Sequence, residues 1–214
     1  MHSAIDVRKV RCLDGLNYSF QMLRHHYTGL WETCCEIPSA NSQLIPALAA
    51  GWGFIDALHR IREIALAVPG LSAKKPEMQA FLSASILAEE YQHYLHHLRS
   101  ELANDLPHNA FPVWGTLSWV DPDNPTRSHM AVLGTQIEGT HYTGCPFDAA
   151  EKKWASKVCL GLNGKSFNFD PIFDAAVEFE SYVLPFLGER PVAASDSGEA
   201  LPLVSIDVIR GVGT

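Results

Sequence analysis

Apolar residues recur at alternating steps of three and four along three long stretches of the chain, and each stretch predicts an amphipathic helix. The first runs from about Ile5 to Glu36, with a seam of Leu13, Leu16, Phe20, Leu23, Tyr27, Leu30 and Cys34, and Pro38 closes it. The second covers roughly 42–68, has Ser39, Asn41 and Ser42 as capping candidates, and buries a stripe of Leu44, Leu48, Trp52, Ile55, Leu58, Arg62 and Ala65. Pro69-Gly70 stops it. The third is read as one helix from Pro76 to Pro107, packed through Phe81, Ala84, Ala88, Tyr91, Leu95, Leu98 and Leu102. Its opposite side carries Leu82, Ile86, Glu89, His93, His96 and His97, so an oily seam is backed by a column of titratable groups. Connections this short join antiparallel neighbours, which makes an up-and-down bundle.

After Pro107 the pattern changes to short runs bounded by turn residues. Val113 to Val120 reads as a strand closed by Asp121-Pro122-Asp123-Asn124-Pro125, and His129 to Ile137 as another. Between Lys157 and Phe169 the apolar alternation is interrupted by Asn163-Gly164, the strongest short hairpin signal. Asp170-Pro171 then starts a fourth helix with Ile172, Phe173, Ala176, Val177, Glu180, Val183 and Leu184 as its stripe. The expected class is α+β: an antiparallel bundle of three long helices plus a C-terminal fourth, with a small antiparallel sheet inserted between helices 3 and 4. The expected divisions are a bundle over 1–107, a β region with the closing helix over 108–188, and a linker with a last strand or arm over 189–214. In that last part Leu201 to Ile209 alternates so that one face is apolar, and it suits either its own sheet edge or a second subunit.

Composition narrows the function classes. A formal charge of −8 over 214 residues excludes a surface that seeks phosphate everywhere; RNA remains a possible partner only against that field. Cys12, Cys34, Cys35, Cys145 and Cys159 form no zinc or redox spacing and read as free thiols of a reducing cytoplasm. Neither a signal-peptide core nor a membrane-length apolar run is present, so a cytoplasmic protein without membrane contact is expected.

Candidate chemistry sits on two helices. Asp56-x-x-His59 and Glu90-x-x-His93 have the spacing with which a carboxylate and an imidazole share a metal, and His97 lies one turn beyond His93. If the two columns face each other, Asp56, His59, Glu90, His93 and His97 form a metal site. The competing reading is solvated pairing at i,i+4, Asp56 with Arg60, His59 with Glu63 and Glu89 with His93, with no metal or cofactor. His25-His26 could add to a groove; His141 with Cys145 could make a nucleophile pair, although no element positions them. Trp114, Trp119 and Trp154 read as packing within the sheet or against the bundle, and the glycines form no phosphate loop.

The segment Trp52-Gly-Phe-Ile-Asp-Ala-Leu-His-Arg-Ile-Arg62, with Tyr91-Gln-His93 in the next helix, resembles the HEPN superfamily of helical bundles. Similar bacterial proteins continue into a β segment like Pro112-Val-Trp-Gly-Thr-Leu-Ser-Trp119. The resemblance implies a metal-independent ribonuclease of the toxin or defence type, whose motif of Arg, a polar residue, spacers and His is assembled across a dimer groove. His93 would be the motif His and the catalytic residue. The position expected for Arg holds Ala88 or Glu89, and a carboxylate there repels the scissile phosphate. The expectation is therefore a binding or interaction module, a homodimer or a docking site for a protein partner, with Glu89, His96, His97, His59 and Arg60 in its groove. The enzymatic alternatives are the metal site above and a divergent ribonuclease.

Overall fold

The computed structural model describes residues 6–103, 111–135, 139–141 and 143–188. Helix α1, Val7–Glu36, opens where Asp6 accepts hydrogen bonds from the N–H groups of Arg8 (3.1 Å) and Lys9 (3.2 Å). A single 3-10 turn, Asn41–Gln43, leads into α2, Leu44–Ala67, which packs along α1 through the two predicted stripes. Leu16, Leu30, Phe54, Ile55 and Leu58 are fully enclosed there.

The long third helix is not continuous, which corrects the reading from Pro76 to Pro107. It is three segments, α3 (Pro76–Ala84), α4 (Ile86–His96) and α5 (Leu98–Ala103); 104–107 lie outside the described residues. At Ser85 the backbone leaves helical geometry (φ −100°, ψ 11°), and the Ser85 hydroxyl donates to the Phe81 carbonyl at 2.6 Å. The carbonyl of Leu82, which a regular helix would offer to the N–H of Ile86, accepts instead from Nη1 of Arg62 at 2.6 Å. A side chain inserted into the helical ladder in this way is a recognised cause of a kink. The second break is at His97 (φ −106°, ψ 16°).

The β region is a four-stranded antiparallel sheet in the order β2-β1-β5-β6, from β1 (Thr116–Val120), β2 (Ser128–Val132), β5 (Val158–Leu162) and β6 (Lys165–Asn168). A separate two-stranded ribbon joins β3 (Phe147–Asp148) to β4 (Lys153–Trp154). Asn163 and Gly164 both have positive φ, 48° and 80°, as the tight turn between β5 and β6 requires. The first strand begins at Thr116 instead of Val113, because Gly115 turns with φ 84° and a Cβ there would lie 2.3 Å from the Gly161 carbonyl. Ile137, the expected end of the second strand, lies outside the described residues, as does everything from 189 onward.

Helix α6, Phe169–Leu187, returns along the bundle and stacks Phe179 on Phe81 at 4.2 Å between ring centroids. The fold is thus α+β, with the sheet between α5 and the closing helix. Sheet and bundle share their buried interior. Phe54 of α2 meets Phe167 at 6.1 Å and Phe169 at 5.2 Å, and Tyr91 of α4 donates its hydroxyl to the Leu160 carbonyl at 2.8 Å. Tyr94 does the same to Val113 at 2.8 Å. Two hydroxyls one turn apart therefore fix the rotation of α4 against the sheet, and with it the direction each polar residue of that helix faces.

Candidate functional site

Once its rotation is set, α4 divides the titratable column in two. Residues Glu89, Gln92 and His96, at steps of three and four, face α2, whereas Glu90, His93 and His97 face away from it. Gln92 and His96 line a groove of about 570 Å³ closed by Gly15, Tyr18, Ser19 and Met22 of α1 and by Asp56, His59, Arg60, Glu63 and Ile64 of α2.

The floor of this groove is tied down by hydrogen bonds. Asp56 accepts from Nε of Arg60 at 2.8 Å and from Nε2 of Gln92 at 3.3 Å, which links α2 to α4. One turn below, Arg62 is a buried cation, 3% exposed, at a position the apolar stripe of α2 assigns to the core. Its Nε donates to Oε1 of Glu89 at 3.1 Å, its Nη2 pairs with the same oxygen, and its Nη1 donates to Leu82 O and to Ser85 Oγ at 2.6 Å each. A guanidinium in a low-dielectric interior needs a counter-charge, and Glu89 is that charge. Glu89 is thus a structural ion-pair partner at the groove's end, not a free group within it.

His59 lines the groove, and its Nδ1 is enclosed without a hydrogen-bond partner among the described residues. His26 of α1 lies over Gly53, where a Cβ would come within 2.5 Å of its ring. Burial pushes its pKa down, repulsion from His25 adds to this, and Asp56 opposes both. A histidine held neutral in the fold and free to protonate when unfolded destabilises on acidification. The unfolded chain takes up the proton first, so stability falls as pH drops below about 6.5 and levels off beneath the depressed folded value. Thermal melts of the wild type between pH 7.5 and 5.5 are expected to show this loss, and H26Q to show a shallower one; equal slopes contradict it.

Compared with family models, with curated proteins and with solved structures, the chain matches none. The geometry has to carry the reading alone.

His93 is exposed and lines a different, smaller cleft of about 140 Å³ between α4 and the β5–β6 hairpin, together with Glu90, Tyr91, Tyr94, Glu101 and Lys165. Glu90 is engaged there by Lys165. The ring of His97 is 4.2 Å from that of His93, so these two form a pair outside the groove. The five residues proposed as metal ligands are accordingly split, Asp56 and His59 on one side of α4 and Glu90 and His93 on the other. Among the described residues no three His, Cys, Asp or Glu side chains are grouped so as to hold a metal. The expected groove set is likewise divided: His59, Arg60 and His96 line it, Glu89 anchors its end, and His97 is outside.

The other sequence candidates fall elsewhere. Cys145 is exposed, and the ring of His141 lies tilted 6.0 Å from that of Phe111. Trp119 is buried in the sheet and Trp114 meets Trp52 edge-on at 6.3 Å. Sequence reasoning assigns no role to Arg62, Ser85 or Gln92; only Arg62 carries a signal, a charge at an apolar position of the α2 stripe. No helix among the described residues is long and apolar enough to cross a membrane.

Proposed function

We propose that the chain is a HEPN-like helical bundle that works as a binding module, and that the groove between α1, α2 and α4 is the face through which two copies pair in the cytoplasm. The observation that carries this reading is the make-up of the groove's rim. Tyr18 and Met22, on one flank of α1, are 48% and 41% exposed, and they stand opposite polar groups already bonded to one another, Asp56 with Arg60 and Gln92. An apolar rim over a floor where Asp56 is already bonded to Arg60 and Gln92 suits association through buried aromatic and thioether anchors. It suits catalysis poorly. Glu89, one of the two positions (with Ala88) where the resemblance looks for Arg, is held by Arg62, and His93 faces another cleft. Generic RNA is therefore not cleaved in the absence of added metal.

Sedimentation equilibrium at micromolar concentration tests this. The full chain is expected at twice its mass of 23.6 kDa, and Y18D/M22D at the single-chain mass. A wild type that sediments as one chain, or a double variant that stays paired, overturns the reading.

A further inference from the structure

One edge of the sheet is open. Strand β2 pairs with β1 in a register that sets Leu117 against Ala131 and Trp119 against His129. The flanking bonds, Leu133 N–H to Gly115 O at 3.0 Å and Asp121 N–H to Arg127 O at 2.9 Å, identify the odd-numbered residues of β2 as those bonded to β1. Alternation then turns the N–H and C=O groups of Ser128, Met130 and Val132 outward, and no other backbone group meets them among the described residues. At the opposite edge strand, β6, α4 meets the hairpin end, where the Tyr91 hydroxyl reaches the Lys165 carbonyl at 3.2 Å and Glu90 pairs with Lys165.

Strand β2 has none of the devices that guard an exposed edge. Its sequence, Ser128-His-Met-Ala-Val132, holds neither Lys nor Pro. Beside it lies a cleft of about 290 Å³ between the strand and the α1–α2 connection, with Ile37, Leu44, Trp119 and Met130 in its wall. Met130 is 48% exposed, while Trp119 is 2% exposed and its Nε1 is buried without an acceptor. An open main-chain edge next to an apolar cleft is the arrangement that an added strand completes.

We propose that Leu201–Ile209 of the same chain adds to this edge as a fifth strand of the sheet. The segment is rich in Val and Ile and places Pro202, Val204, Ile206 and Val208 on one face, the period that a strand over an apolar cleft needs. Pro202 lacks a donor, and in an outermost strand its position faces solvent. The chain is long enough to arrive. Helix α6 starts directly after β6 and its 19 residues carry the chain about 28 Å from the sheet, at 1.5 Å per residue. The place beside β2 is four strand spacings, about 19 Å, across from β6, so the path back is roughly 34 Å. The link from Gly188 to Ala200 spans up to about 43 Å at 3.3 Å per residue and covers this without full extension.

Amide hydrogen exchange of the full chain, read residue by residue by NMR, tests the proposal. Met130 and Val132 are expected to be protected about 100-fold or more over unstructured amides. In V204D/I206D both lose that protection while the amides of β1 and β5 keep theirs. Met130 and Val132 exchanging as free edge amides in the wild type, or staying protected in the variant, overturns it. Which copy supplies the strand is read by mixing isotopically labelled and unlabelled full chains that carry a photo-reactive residue in place of Ile206. Cross-links to β2 within one isotope are expected, and cross-links between isotopes overturn the assignment to the same chain.

Discussion

Glu89→Ala is expected to destabilise the fold by about 3 kcal/mol, the scale on which a buried charge loses its only counter-charge. Arg62→Met is expected to cost less, although it removes the larger number of contacts. The reason is an asymmetry in burial. The Arg62 side chain is 4% exposed and the Glu89 side chain 40% exposed, so removing the carboxylate strands a guanidinium with no access to water, while removing the guanidinium leaves a carboxylate that water reaches. Arg62→Met also returns the Leu82 carbonyl to the helical bond that it now forgoes. The double variant R62M/E89A should therefore be more stable than E89A alone. Urea unfolding of the four proteins at neutral pH measures this directly, and an E89A no worse than R62M removes the ion pair from the account of the kink at Ser85.

Phe54→Ala should cost about 3–5 kcal/mol, the range for truncating a fully enclosed aromatic side chain. The ring is 0% exposed and touches Tyr27 of α1, Phe167 of β6 and Phe169 and Phe173 of α6. Those partners come from both the bundle and the β region, which in the sequence reading belong to separate divisions. If they share one interior, the loss appears as a shift of a single cooperative transition followed by both helical and aromatic signals. Two transitions, only one of them moved by the substitution, would mean that sheet and bundle unfold apart.

Much of this architecture was legible in the chain because it rests on local pattern. The stripes of α1 and α2 follow a period that burial dictates, and Asn163-Gly164 marks a turn that few other residue pairs can form. The third helix was the failure, and it failed for a non-local reason. Its apolar period runs without interruption through Ser85, and nothing near Ser85 in sequence breaks it; the break depends on Arg62, 23 residues earlier, reaching across from α2. A continuous helix also places Glu89, His93, His96 and His97 in one column, which is how a single site was inferred. The rotation of α4 is set by the Tyr91 hydroxyl on a carbonyl of β5 and the Tyr94 hydroxyl on the Val113 carbonyl in the turn before β1, contacts that no periodicity contains. Arg62 was visible as a charge in an apolar stripe, and that anomaly was the one signal in the sequence pointing to the clamp at the groove's end. The β3–β4 ribbon was missed because strands of two residues carry too little alternation to register.

The two faces of α4 do different things: Gln92 and His96 line the groove against α1 and α2, while His93 lines the cleft against the β5–β6 hairpin with the ring of His97 beside it. Ring resonances of the histidines, followed by NMR while the full chain is diluted from millimolar to low micromolar concentration, separate the faces. If two chains pair through the groove, the His59 and His96 signals move together on dilution, while those of His93 and His97 stay where they are. Movement of His93 and His97 with His59 and His96 unchanged would put the meeting surface on the other side of the helix and contradict it.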